Sequence, residues 1–203
     1  MHPFLRAMTA TLLALSLGAC SNLVYSDQPL FTATDSAGAI PMRPGVWMVS
    51  GDAECAFDAA APLATWPECA EGKAVTRREA RQGAAAFVDD DAMIAGGDPM
   101  VVQDPGDAPE TRTSYFGLRV TRLDARSRAV EFAVWLVHCG PPPPPDPADP
   151  DRPSVTDRPL PGLEVRDANC VAHDKEAVRG AARASEAWDH GGARFRWIRD
   201  GRR

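Results

Sequence analysis

The residues best able to move a proton or hold a metal are three histidines, two with acids beside them: His138, His173-Asp174 and Asp189-His190. An imidazole next to a carboxylate can act as a general base or a metal ligand. The two pairs bracket a stretch with helical spacing. A straight helix, at about 1.5 Å per residue, sets them about 25 Å apart, too far for one site. Asp174 therefore reads as a helix cap, and His190 as a cation near the carbonyl end. His138 continues the apolar face of a candidate strand. It is a core or edge residue by position, and a hydrolase base only if folding brings an acid to it. Asp89-Asp90-Asp91 lacks the spacing and the glycine of a calcium loop. Asp146, Asp149 and Asp151 are held apart by prolines. The chain has no GxSxG elbow, no HExxH pair, no phosphate-cradling glycine loop and no dinucleotide fingerprint. The sequence thus assigns no catalytic residue, no metal ligand and no cofactor.

The five cysteines carry more information. Near the amino terminus, Arg6 precedes an apolar run from Ala7 to Leu17, small residues follow, and then Cys20. That order is the layout of a secretory signal. The run is too short to span a bilayer, which takes about 20 apolar residues. Cys55, Cys69, Cys139 and Cys170 remain, an even number. In an oxidising compartment two disulfides are the default, and four cysteines allow three connectivities. Cys55–Cys69 and Cys139–Cys170 are favoured because each closes a local loop. Their spacing is too wide for a CxxC redox or zinc site.

Leu17-Gly18-Ala19-Cys20 resembles the lipobox of bacterial lipoproteins, an aliphatic residue, two small residues and a cysteine. The resemblance covers about the first 21 residues. It implies a diacylglycerol thioether on Cys20, cleavage before it and a further acyl chain on the new amine. Several chains hold firmly where one holds marginally. In Gram-negative members an Asp after the cysteine tends to retain the protein at the inner membrane. Ser21 implies the outer membrane, with the protein facing the periplasm.

Residues 1–19 are thus expected to be a signal peptide, 20–44 a lipidated tether, and 45–203 a single globular domain with a proline-rich loop at 140–153. Loss of residues 1–19 removes Arg6 alone among charged groups, taking the net charge from −6 to −7. An acidic envelope chain has no evident use for nucleic acid. The tether reading rests on Pro29, Pro41, Pro44 and the lack of a period, with Leu30-Phe31 as a pair expected to pack on the domain.

The elements that must position any site come next. Gly45–Ser50 reads as the first strand. Trp66 is expected to cover the Cys55–Cys69 bridge. Val75 to Gln82 is ambiguous, and Ala84 to Val88 a weak strand. Ala92 to Ala95 and Met100 to Gln103 flank a turn at Gly96-Gly97-Asp98-Pro99. From Tyr115, Phe116, Leu118 and Val120 alternate with polar or small residues. After a polar turn, Val130, Phe132, Val134 and Leu136 share one face, with Ala133, Trp135 and Val137 on the other. A strand apolar on both faces belongs mid-sheet with cover on each side. Pro141 to Pro153 cannot enter helix or sheet and predicts an extended arm.

Leu163 to Val165 and Cys170 to Val171 are short strand candidates. Val178, Ala181, Ser185 and Trp188 predict a helix after Asp174, ended by Gly191-Gly192. Arg194 to Arg199 predicts a last strand with Phe195 and Trp197 inward. The whole predicts a mainly β (α+β) fold: a curved antiparallel sheet or small barrel-like domain, one carboxy-terminal helix and two disulfides.

Three functions fit. The first is a non-enzymatic binding or accessory lipoprotein, held to the membrane by lipid, with an envelope protein as partner and residues 141–153 as a docking arm. The second is a small-molecule or lipid-binding barrel lined by Trp47, Trp135, Trp188 and Trp197. The third is a hydrolase using His138. The stripe Arg194, Arg196, Arg199, Arg202, Arg203 could in addition meet lipid headgroups.

Overall fold

A computed structural model describes residues 21–50, 56–67, 70, 72–75, 92–105, 112–144, 154–188 and 192–201. The fold is mainly β. Its strands are β1 (Val24–Ser26), β2 (Gly45–Ser50), β3 (Gly72–Val75), β4 (Met93–Ala95), β5 (Met100–Asp104), β6 (Thr113–Leu123), β7 (Ala129–Leu136), β8 (Leu163–Arg166), β9 (Asn169–Ala172) and β10 (Ala193–Arg199). One α-helix, α1 (Lys175–Ser185), stands among the described residues. No described helix is long and apolar enough to cross a membrane.

Strand β6 is the hub. Phe116, Gly117 and Leu118 pair with β5 on one edge and β7 on the other. Ser114 pairs with Asp104 of β5 and with Tyr25 of β1, so β1 lies on the β7 edge, beyond the point where β7 leaves. From β7 the sheet runs on through β10 and β2 to β3, and from β1 through β9 to β8. β1 and β9 are parallel, with Val24 opposite Cys170, while the other pairings are antiparallel.

The sheet is therefore mixed and not purely antiparallel. It does not close among the described residues, so the barrel expectation is corrected too. Closure needs the end strands to meet, and β3 and β8 end the path apart. The expected tether at 20–44 is likewise corrected. Val24 and Tyr25 are buried in the sheet, and the folded domain begins no later than Asn22, not at residue 45.

The β6–β7 hairpin forms as its alternation demands, and β7 has cover on both faces. On one, Phe132 packs with Trp47, Leu118, Met100 and Ile94. On the other, Val137 and Tyr115 join Val178, Ala181 and Ala182 of α1. Helix α1 starts at Asp174, whose Oδ1 accepts from the Ala177 N–H at 2.8 Å, as its sequence position implies. It ends at Ser185, ahead of Gly191-Gly192, and Gly192 instead leads into β10 with φ at 62°. Leu30-Phe31 does pack on the domain. Phe31 is buried edge-on to Tyr115, and the Gln103 side chain meets its backbone twice, accepting from the N–H at 2.8 Å and donating to the C=O at 3.1 Å.

Gly117 sits directly beneath the Trp135 indole, where a Cβ would overlap the ring. Gly117→Ala is expected to destabilise by about 1–3 kcal/mol through overpacking, read as a lower urea midpoint. An unchanged midpoint would mean that the indole moves freely aside. The indole is not free, because its N–H donates to the Ala182 carbonyl at 2.8 Å.

Two carboxylates give the fold an acid limb. Lys175 Nζ contacts both Asp35 oxygens, at 2.9 and 2.7 Å, and its hydrogen bond holds the Asp35 carboxyl at about 2 against an ordinary 3.8. Arg128 does the same for Asp124 across the β6–β7 turn. A depressed folded pKa means that the unfolded chain binds more protons in that window. The stabilisation is full above about pH 4 and is lost as pH falls towards about 2. Asp35→Asn is expected to flatten part of this limb in urea titrations run across that range. A limb of unchanged steepness would remove Asp35 from it.

Candidate functional site

His138 pairs its backbone with Leu23 in an isolated bridge, and its N–H donates to Ser185 Oγ at 2.8 Å. Its ring is half-buried, with Nδ1 out of solvent. The residue is thus a joint between β7, β1 and α1. His173 stays exposed and pairs with Glu164 across the β8–β9 hairpin at 3.0 Å. Asp174 is committed to the cap. Among the described residues no three His, Cys, Asp or Glu side chains gather to hold a metal. Asp189, His190, Asp89-Asp90-Asp91, Asp146, Asp149 and Asp151 lie outside the described residues.

The tryptophans do not share a cavity. Trp47 and Trp197 belong to the Phe132 face, whereas Trp135 points to the α1 face. Each donates its indole N–H to a carbonyl: Trp47 to Arg43 at 2.9 Å, Trp197 to Pro44 at 3.1 Å. These are core residues. Trp66 packs on Phe57 with ring centres 4.5 Å apart, while Cys55 and Cys69 lie outside the described residues. A shallow groove of about 350 Å³ runs between Leu160–Gly162 and the first turns of α1, at Asp174, Glu176, Ala177 and Gly180. It is mainly apolar, and one of its two carboxylates is already spent on capping.

The densest polar construction is at the amino-terminal end of the sheet. Asn22 is buried, with φ at 65°. Its Nδ2 donates to the Gly140 carbonyl at 3.1 Å, and its Oδ1 accepts from the Thr156 N–H at 3.0 Å. Its own N–H donates to the Ala168 carbonyl at 2.7 Å, and its carbonyl accepts from the Cys139 N–H at 2.8 Å. One residue thereby ties three other segments, at 139–140, 156 and 168, to its own. Leu23 N–H donates to the Asn169 side chain at 2.9 Å, and Ser21 Oγ accepts from the Ser154 N–H at 3.3 Å.

Cys139 and Cys170 form a disulfide there, both fully buried, as the spacing suggested. The proline-rich loop leaves this knot at Gly140 and returns to it at Ser154. Nothing local points to Asn22, because a polar residue before a short apolar triplet reads as linker. The one usable signal was Asn itself, which tolerates positive φ better than other residues with a Cβ.

The arginines of β10 behave as a sheet face. Arg194 and Arg196 are exposed, with Phe195 and Trp197 turned inward. Arg199 instead reaches the Ala61 carbonyl at 2.9 Å. Arg202 and Arg203 lie outside the described residues, as does Cys20. No known protein family, curated protein or solved structure matches this chain.

Proposed function

We propose that this is a lipid-anchored protein of the outer membrane, facing the periplasm, whose domain binds another envelope component and does not turn over a substrate. The observation that carries the reading is the run Leu17-Gly18-Ala19-Cys20-Ser21 placed directly ahead of the first strand. An oxidising periplasm also suits the buried Cys139–Cys170 bridge. For binding, the support is the loop from Pro141 to Pro153. Its prolines favour extended backbone, and the flanking Gly140 and Ser154 are both tied to one knot, which gives it a fixed base.

The anchor is tested on protein purified in detergent from its native membrane. Intact mass should show acyl chains on a chain beginning at Cys20, and Cys20→Ala should move the protein from the membrane to the soluble fraction. An unacylated native chain would end this reading. Deletion of residues 141–153 should then remove a partner from detergent pull-downs. An identical set of partners with and without the loop would take the docking role away from it.

A further inference from the structure

The geometry points to a domain seated directly on the bilayer in one orientation, its amino-terminal knot against the headgroups and its β6–β7 turn at the far end. This rests on Cys20 being the acylated residue. If it is, the leash between lipid and fold is almost nothing. Asn22 is locked by four hydrogen bonds, and Ser21 is already tied to Ser154. Cys20 is covalently bonded to Ser21, and two residues reach at most about 7 Å. A tether of some 20 residues would let the domain tumble freely. A leash this short holds one end of it at the surface.

The same chain geometry sets the height of the other parts. His138 pairs with Leu23 at the knot, and β7 runs from there back to Ala129. The nine steps from Ala129 to His138, at about 3.3 Å each, span about 30 Å. The turn carrying Arg126 lies beyond Ala129. Arg196 pairs with Glu131 near that end, so the β10 arginines stand well above the headgroups of the anchoring leaflet and face the periplasm. Among the described residues, charges near the knot stand as pairs: Arg112 with Asp167, Arg158 with Asp157 and Arg166 with Asp27. These paired charges supply no net attraction to the headgroups. The covalent leash is what orients the domain. Gly140 and Ser154 place both ends of the proline-rich loop at headgroup level.

The test uses full-length acylated protein in vesicles of phosphatidylethanolamine and phosphatidylglycerol carrying a nitroxide on a fraction of the headgroups. A fluorophore is placed on Arg158→Cys, exposed beside the knot, or on Arg126→Cys, exposed at the far turn. Flotation and intact mass first establish that the protein is acylated and bound. Quenching at position 158 should exceed that at 126 several-fold. A Gly/Ser linker of about 20 residues, with an r.m.s. span near 25 Å, is then inserted between Cys20 and Ser21, starting with Ser. It should bring the two positions close to equality. Equal quenching in bound, acylated protein without the linker would overturn the fixed seat and leave the anchor standing. Protein that carries no acyl mass and does not float would overturn the anchor, and the seat with it.

Discussion

Asn22→Ala is expected to cost about 3–5 kcal/mol, enough to unfold a domain of ordinary stability. The substitution strands the Gly140 carbonyl and the Thr156 N–H, both in buried residues. Each unsatisfied buried group costs about 1–3 kcal/mol. It also places a Cβ without a compensating side chain at a φ of 65°, a region that costs an ordinary residue about 1–2 kcal/mol. Asn22→Gly separates the two contributions, since glycine accepts that φ without strain. It should fall between wild type and Asn22→Ala in urea denaturation. If Asn22→Ala unfolds at the wild-type midpoint, the knot is not what holds β1 in place. The same result would loosen the short leash on which the bilayer seat depends.

The second large effect is loss of the Cys139–Cys170 bridge. Thirty-one residues separate the two cysteines. Loop-closure entropy for that length gives about 3–4 kcal/mol. The replacement Cys139→Ala with Cys170→Ala should therefore lower the denaturation midpoint sharply under oxidising conditions. Added reductant should narrow the gap between variant and wild type, because the wild type then loses the same constraint. A variant as stable as oxidised wild type would show that the hydrogen bonds around Asn22 suffice alone. The bridge also decides whether the proline-rich loop has a fixed base, so the same variant should lose any partner the loop recruits.

The parts of the fold that were legible share one property: each carries its own period. The β6–β7 hairpin, the inward Phe195 and Trp197 of β10 and the Val178-Ala181-Ser185 stripe of α1 can be read from local alternation. The strand boundaries fell within a residue or two, whereas the helix ends at Ser185, several residues ahead of the Gly191-Gly192 expected to stop it. The Asp174 cap and the Cys139–Cys170 pairing followed from local chemistry. What failed was long-range. Val24–Ser26 is three residues long and has no period to display, and its partners lie at Ser114 and Cys170. Three prolines after it made the region look like linker. Polar residues buried by distant partners, Asn22 and Gln103, were equally invisible, since nothing local marks them for the interior.

His138 is a case where position outweighed residue type. Its place on the apolar face of a strand marked it as a core or edge residue, and it stands half-buried as a joint whose backbone N–H donates to Ser185 Oγ. Tryptophans chosen as a cavity lining were split between opposite faces by the two-residue period of their strands.

The parallel contact of β1 with β9 joins residues 146 apart, Val24 and Cys170. A chain delivered amino end first must keep its earliest strand waiting while most of the polypeptide still lies behind it. Cys170 then arrives together with the strand that β1 needs, so that pairing and the cross-link become possible at the same moment. Until then the newcomer has an open seam beside β6, and its assembly is slow because the decisive contact is so remote. That seam stays open until Asn169–Ala172 has come through, just ahead of helix α1.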